Sequence, residues 1–281
     1  MRLVVLGVID LHLHTTASDG TLTPSELVSK ARSAGLSIFS VTDHDTTAGL
    51  AEAGEAARGA GLELVNGIEI SAVEDRRDVH VLGYFIDPTA PVLRNFLERQ
   101  REDRLRRVRE MAARLDALGA PIDVEPILAE ALRGRSVGRP QIASALLRRG
   151  HVATRDEAFD RFLEFGGPAF VPRHGASASE VVSIVHEAGG LASLAHPGLL
   201  RRDQLIAPLA AAGLDALEVR HSDHDAETES KYRALAGTLG LLVTGGSDFH
   251  GDNGHRVCRL GTVTLPGEDY DRLRSASRCA R

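Results

Sequence analysis

Two histidines separated by one leucine, His12-Leu-His14, stand directly after an apolar run, and an aspartate, Asp19, follows five residues later. On an extended strand, residues two apart share a face, so both imidazoles project together while Leu11 and Leu13 take the other side. A lone pair of this kind is weak evidence for a metal site. The chain, however, repeats the theme. His44 follows Val41-Thr-Asp43, Glu69 stands in Asn66-Gly-Ile-Glu69-Ile, and His80 lies in Asp78-Val-His80-Val. His196 closes Leu191-Ala-Ser-Leu-Ala-His196, and Asp248 and His250 close Val243-Thr-Gly-Gly-Ser-Asp248-Phe-His250. Singly, each residue has a bland reading as a cap or a satisfied core polar group. Together, at the ends of successive apolar runs, they read as the ligands of a metal centre.

The donors are nitrogen and oxygen only, which suits Zn, Mn, Fe or Co, and the carboxylates favour Mn or Fe over a structural zinc. Nine donors exceed the needs of one ion and imply two or three divalent ions, manganese foremost. Clustered ions commonly serve phosphoester hydrolysis: they clamp phosphate oxygens, activate a water for attack on phosphorus and stabilise the leaving oxygen. Binuclear amidohydrolases also begin with a His-x-His strand, but many bridge their metals with a carboxylated lysine. Only Lys30 and Lys231 occur here, both in expected helices, so Glu69 is the better bridging candidate.

The elements that must position these residues follow from periodicity. Leu3 to Ile9, Leu36 to Thr42, Leu62 to Asn66 and Val79 to Ile86 read as strands, as do Leu191 to Ala195, Leu214 to Val219 and Leu241 to Thr244. Thr23-Pro24-Ser25-Glu26 reads as a helix start with Thr23 as N-cap, and the helix ends near Ala34 before Gly35. A second helix is expected over Thr47 to Arg58. Strands alternating with helices predict βαβ units and a parallel sheet, and seven strands suit a closed or nearly closed barrel. In such a barrel the strand C-termini converge on one rim, where active sites are built.

Residues 91–175 break this rhythm. Phe96, Leu97, Leu105, Val108, Ala112, Leu115 and Leu118 recur at helical spacing, and further helices are expected over Glu125 to Leu132, Gln141 to Arg149 and Arg155 to Glu164. The expected division is a barrel from 1–90 and 176–281 with an inserted helical lid from 91–175. From Arg94 to Arg173 there are 16 Arg and no Lys against 12 acidic residues, a net charge of +4; the remainder carries −10 of the total −6. Either this is a solvated face with Glu–Arg pairs, or a basic lid over an acidic, metal-rich mouth, suited to anionic substrates. The net charge of −6 argues against stable binding to duplex nucleic acid. Two cysteines, Cys258 and Cys279, form no zinc-ribbon or disulfide framework. Leu3 to Ile9 is too short to cross a membrane and shows no cleavage signal, so a cytoplasmic protein is expected.

In order along the chain, Asp10-Leu-His12-Leu-His14, Thr42-Asp43-His44, Gly67-Ile-Glu69-Ile, His80, Ala195-His196-Pro197 and Gly246-Ser-Asp248-Phe-His250 resemble the motifs of the PHP (polymerase and histidinol phosphatase) family. The stretch from Thr15 to Pro24 and the helical insert further resemble its small stand-alone bacterial members. The resemblance implies a distorted seven-stranded β/α barrel with a trinuclear centre. One ion is held by His12, His14, Glu69 and Asp248, a second by Glu69, His80 and His196, and a third by Asp19, His44 and His250. It also implies action on the 3'-phosphate of nucleoside 3',5'-bisphosphates and on short RNA from its 5' end. Histidinol-phosphate phosphatase is the rival within the family, and a non-catalytic metal- or nucleotide-binding module the rival outside enzymes. Gly138-Arg139-Pro140 and Val171-Pro-Arg173-His174 resemble phosphate-contacting segments, with Gln141 standing where the subgroup often has histidine. Surface or inter-subdomain pairing is the plainer role for Arg139 and Arg173. His221, after the sixth strand, is the candidate proton donor, and both it and His224 read more simply as loop residues.

Overall fold

The computed structural model describes residues 7–251 and 260–279. Residues 3–6 of the first expected strand, His255 and Cys258 lie outside them. Seven strands, β1 (Val8–Asp10), β2 (Leu36–Val41), β3 (Glu63–Glu74), β4 (Arg77–Tyr84), β5 (Leu191–Leu194), β6 (Ala216–His221) and β7 (Leu242–Gly246), pair in sequence order. Closure comes from the segments just beyond β1 and β7: Leu11 N donates to Gly245 O at 3.2 Å, His14 N donates to Phe249 O at 3.0 Å, and Leu13 bridges Phe249. The approach is so tight that a Cβ on Gly246 would stand 2.3 Å from His12 N, so only glycine fits. The result is a nearly closed seven-stranded α/β barrel.

The expectation of an all-parallel sheet fails at one strand. β4 runs antiparallel to both β3 and β5. β3 and β4 form a hairpin turned at Asp75 and Arg76, both at positive φ (50° and 65°), the geometry of a primed two-residue turn. No Asn-Gly or Asp-Gly announces it. β3 also continues past Asn66 to Glu74, which places Glu69 within the strand rather than after it. Because β4 is reversed, its beginning reaches the rim where the parallel strands end, and this is how His80 joins them.

Around the sheet lie α1 (Pro24–Ser33), α2 (Leu50–Ala60), α3 (Pro91–Ala117), α4 (Glu125–Leu132), α5 (Arg139–Arg148), α6 (Arg155–Ala158), α7 (Ala178–Glu187), α8 (Pro197–Leu200), α9 (Ile206–Ala211), α10 (Ala226–Leu239) and α11 (Gly267–Cys279). Thr23 caps α1 in a capping box with Glu26, as the sequence indicates. The main core joins strand residues such as Phe39, Ile68, Val81 and Leu217 to Leu27, Ala53, Val182 and Tyr232 of the flanking helices. A separate core, built on Val108, Met111, Ile142, Leu146 and Leu163, holds the helices of the 91–175 segment. There α6 runs into a π-helical turn, Phe159–Leu163, within the range expected as one helix.

Candidate metal centre and the adjoining cavities

Glu69, fully buried in β3, gathers five imidazoles. Its Oε2 lies 3.3 Å from His12 Nε2, 3.2 Å from His14 Nε2 and 3.0 Å from His44 Nδ1. Its Oε1 lies 2.8 Å from His80 Nδ1 and 3.1 Å from His196 Nε2. Asp248 Oδ1 stands 3.4 Å from His12 Nε2 and 3.1 Å from His14 Nε2. Asp19 meets His250 Nε2 at 3.3 Å and His44 Nε2 at 3.8 Å. All nine expected ligand residues are thus brought to one rim, and three overlapping donor groups among them have ligand atoms within 4.8 Å of one another: His14, Asp19, His44 and His250; His12, His14, Glu69 and Asp248; and His44, Glu69 and His80.

Some of these contacts are hydrogen bonds, as at His12 and His196 to Glu69, but others leave buried nitrogens without one. Both nitrogens of His14, and Nδ1 of His44 and of His80, are buried and make no hydrogen bond, although carboxylate oxygens lie close by. Buried polar atoms are normally satisfied, so orphans concentrated in one cluster point to a partner between the side chains. Around an ion with ligands at about 2.1 Å, neighbouring donors stand about 3.0 Å apart in an octahedron and about 3.4 Å apart in a tetrahedron. Seven of the nine spacings given above fall in this range; His80–Glu69 at 2.8 Å is shorter and His44–Asp19 at 3.8 Å longer. Without an ion, the groups must hold protons instead. Burial opposes charge on His14, but Asp248 and Glu69 outweigh it and raise its pKa to about 10. Burial pushes His44 the other way, to about 3, helped by the neighbouring His14 and His80.

Positive-φ backbone also occurs at this rim. Among the described residues, seven non-glycine positions have positive φ, and Asp45, His196 and Asp248 are three of them, next to or at the clustered side chains. A residue absent from the sequence reading holds part of this geometry. Glu218, fully buried in β6, accepts the His196 N–H through Oε2 at 2.7 Å, while its Oε1 lies 2.9 Å from His12 Nδ1. Fixing Nδ1 of His12 leaves Nε2 directed at Glu69 and Asp248, the arrangement that metal-binding histidines use. Its signal in the sequence is a lone carboxylate among the apolar residues of Ala216-Leu-Glu-Val219.

Beside the cluster lies a cavity of about 90 Å³ lined by Arg104, Arg107, Arg139 and Arg173. Two aspartates face these four guanidiniums. Asp45 Oδ2 accepts from Arg104 Nε at 2.9 Å and from Arg173 Nη1 at 3.2 Å, while Asp78 accepts from Arg139 Nη2 at 3.1 Å. Burial opposes the Asp45 charge, yet Arg104 and Arg173 overcome it and hold its pKa near 2. Arg107 donates Nε to Val171 O at 3.1 Å, but its Nη2 and the neighbouring Ser136 Oγ are buried without a partner. Burial and the adjacent Arg173 lower the Arg107 pKa to about 9. The pocket therefore carries surplus positive charge and unused donors. Arg104 and Arg107, the inward members of α3, were hidden in a run of arginines. Gln141 ties this wall to the metal-side loop by donating to Ser18 O at 3.0 Å.

Two expected contacts fall elsewhere. His174 is exposed and lines neither this cavity nor the larger one beside it, because its backbone turns out toward Asp103. His221 is buried behind Asp248, with Nε2 at 3.3 Å from Asp248 Oδ2 and Nδ1 accepting from Asp223 N at 3.1 Å. It does not line the larger cavity, so the geometry favours an orienting contact over proton donation to substrate. The larger cavity, about 510 Å³, opens directly over Glu69, His80, His196, Asp248 and His250. It shares Asp19, His44, His80 and Pro140 with the arginine-lined one.

A strained, donor-rich barrel rim beside an arginine pocket defines a metal-dependent phosphoesterase, and the relatives of the chain agree. A family model, the PHP domain, matches residues 10–160. The 3',5'-nucleoside bisphosphate phosphatase of Chromobacterium violaceum is 36% identical over 256 residues, covering 89% of this chain and 90% of that protein. The 5'-3' exoribonuclease Rnm of Escherichia coli is 35% identical over 250 residues, covering 86% and 85%. A crystal structure from Bifidobacterium adolescentis, described as a metal-dependent phosphoesterase, matches with a TM-score of 0.86 at 37% identity over 95% of each chain. The chain belongs to the PHP domain family. Among the described residues, no helix is long and apolar enough to cross a membrane.

Proposed function

We propose that the protein removes the 3'-phosphate from nucleoside 3',5'-bisphosphates and also shortens small RNAs from the 5' end, in the cytoplasm. The observation that carries this reading is the adjacency of the two charged regions. A rim of nine metal-ligating side chains shares walls with an arginine-lined pocket in which Arg107 Nη2 and Ser136 Oγ are left without partners. His12, His14, Glu69 and Asp248 would hold one divalent ion, Glu69, His80 and His196 a second, and Asp19, His44 and His250 a third, with manganese the first choice. Bound there, such ions supply Lewis acidity toward phosphate oxygens and lower the pKa of water.

The chain's own groups do the rest. Glu69 presents both oxygens to the centre, and Glu218 keeps His12 and His196 aimed at it. Arg107, Arg139 and Arg173 offer the planar forks that suit phosphate oxygens; Asp78 holds Arg139, Asp45 holds Arg173, and the Val171 carbonyl holds Arg107. Residues 91–175, with their own core, act as a lid on the barrel formed by 1–90 and 176–281. The relatives named above, one a phosphatase and the other an exoribonuclease, support a small nucleotide or short oligoribonucleotide as substrate.

Steady-state hydrolysis of adenosine 3',5'-bisphosphate, a short 5'-phosphorylated RNA and histidinol phosphate by the manganese-loaded protein tests this. The bisphosphate should give the highest kcat/KM and histidinol phosphate the lowest. Preference for histidinol phosphate would overturn the reading in favour of the other enzyme of the family.

A further inference from the structure

His196 stands where two demands on one residue compete. Its Nε2 lies 3.1 Å from Glu69 Oε1 at the metal rim, and its backbone opens the four-residue turn α8 at φ 27° and ψ 60°, a conformation that costs a non-glycine residue strain. A residue in this position normally turns its side chain back to accept from the first N–H groups of the turn. The His196 imidazole does not. Pro197 has no N–H to satisfy, and Leu199 N donates to His196 O at 2.9 Å. The N–H of Gly198 is left, and its acceptor comes from another element: Nε2 of His224, 3.2 Å away in the loop between β6 and α10. The His224 ring is committed to this contact. Its Nδ1 lies 2.8 Å from the Val219 carbonyl, which only accepts, so Nδ1 carries the proton and Nε2 the lone pair. Burial, together with the adjacent His221, lowers the His224 pKa, in keeping with a neutral ring. The approach is close: a Cβ on Gly198 would stand 2.7 Å from His224 Nε2. The ring also lies beside the buried Tyr232, whose hydroxyl donates to Asp203 at 2.8 Å.

We propose that His224 is a positioning residue: by accepting the Gly198 N–H it fixes the strained backbone of His196 and so aims that imidazole at the ion held with Glu69 and His80. The inference rests on the metal assignment above and names a residue that the assignment does not include. The backbone of His196 is then held at two points. Glu218 accepts its own N–H at 2.7 Å, and His224 accepts the N–H two residues further on. This division frees the His196 side chain from capping its own turn and leaves it for the metal rim. The plain alternative is a buried histidine that packs the β6–α10 loop. Its loss would lower folding stability and treat every ion alike.

Manganese titration into the metal-stripped protein, followed by calorimetry, separates the two. His224→Phe keeps a ring beside Tyr232 but offers no acceptor. It should weaken one ion about 10- to 100-fold, the usual effect of losing a contact that supports a metal ligand, and leave the others within about twofold. In a His80→Ala background, which already lacks a ligand of that ion, the same substitution should have no further effect on the remaining ions. His224→Gln, which returns an acceptor oxygen at the reach of Nε2, should restore affinity to within about threefold of the unsubstituted protein. Gly198→Ala breaks the same contact from its other partner, because its Cβ displaces the ring. It should reproduce the loss, which keeps the proposal testable if His224→Phe does not fold. Equal weakening of every ion, no rescue by His224→Gln, or full affinity in Gly198→Ala would overturn the proposal. If the unsubstituted protein binds no manganese, the metal assignment itself fails, which is a separate outcome.

Discussion

The barrel rim and the arginine pocket are both buried, both charged and joined by shared walls, yet they are completed in opposite ways. At the rim, carboxylates and imidazoles converge with only part of them hydrogen-bonded, as His12 and His196 are to Glu69, and buried nitrogens of His14, His44 and His80 are left over. In the pocket, most guanidinium groups are already paired, Arg104 and Arg173 on Asp45 and Arg139 on Asp78, and the leftovers are a single Arg107 nitrogen and Ser136 Oγ. The rim requires cations to be whole. The pocket is whole already and has a little positive charge to spare. Assembly of the site thus divides between an element that waits for metal and one that the fold builds beforehand.

Removing the pocket's own counter-charge should have the largest effect. Asp45→Ala leaves Arg104 and Arg173 buried beside fewer acceptors, and breaking a buried pair in this way costs about 3–5 kcal/mol. Urea unfolding of the metal-stripped protein would measure it; a loss below about 1 kcal/mol would show that the pair is no more than a surface contact. The same residue gives a pH dependence with a defined sign. Its folded pKa, near 2, lies below its ordinary value of 3.8, so its stabilisation is complete above about pH 4 and is lost as pH falls toward 2. Asp45→Ala should therefore flatten the acid limb of the stability curve.

At the rim, the corresponding change acts on metal rather than on folding. Glu218→Gln keeps the volume but offers one carbonyl oxygen where two acceptors are in use, by His12 and His196. Loss of such a supporting contact typically lowers metal affinity about 10- to 100-fold. Manganese titration by calorimetry should show that drop for the ions on His12 and His196, with binding at Asp19, His44 and His250 spared. Equal weakening of every ion would mean that Glu218 acts on the barrel as a whole. The smallest effect is expected at Arg107, which binds one backbone carbonyl and otherwise faces the pocket. Arg107→Met should raise KM for the bisphosphate by about tenfold, the worth of one charge-assisted hydrogen bond, with unfolding stability little changed.

The same contrast explains what could be read from the sequence. All nine rim donors were legible because they stand in recurring short motifs at or beside apolar runs, although Glu69 lies within β3, His80 within the reversed β4, and Asp19 in a turn. The N-cap at Thr23 and the helix Glu125–Leu132 were legible from local chemistry alone. The β3–β4 reversal was not, since Asp75 and Arg76 adopt positive φ without a glycine to signal it. The pocket was only half legible. Arg139 and Arg173 were found through resemblance, whereas Arg104 and Arg107 are two of many arginines on α3 and differ from the others only by facing inward. Glu218 pairs with a residue 206 positions away, and local periodicity carries no information about such a contact.

The most direct measurement titrates manganese into metal-stripped protein while following both binding and hydrolysis of adenosine 3',5'-bisphosphate. Two or three ions should bind, hydrolysis should rise from background with them, and protons should be released at pH 7, because His14 is held protonated up to about pH 10 until an ion displaces the proton. Full hydrolysis by the metal-stripped protein, or binding of no more than one ion with no proton release, would contradict a clustered metal centre at this rim.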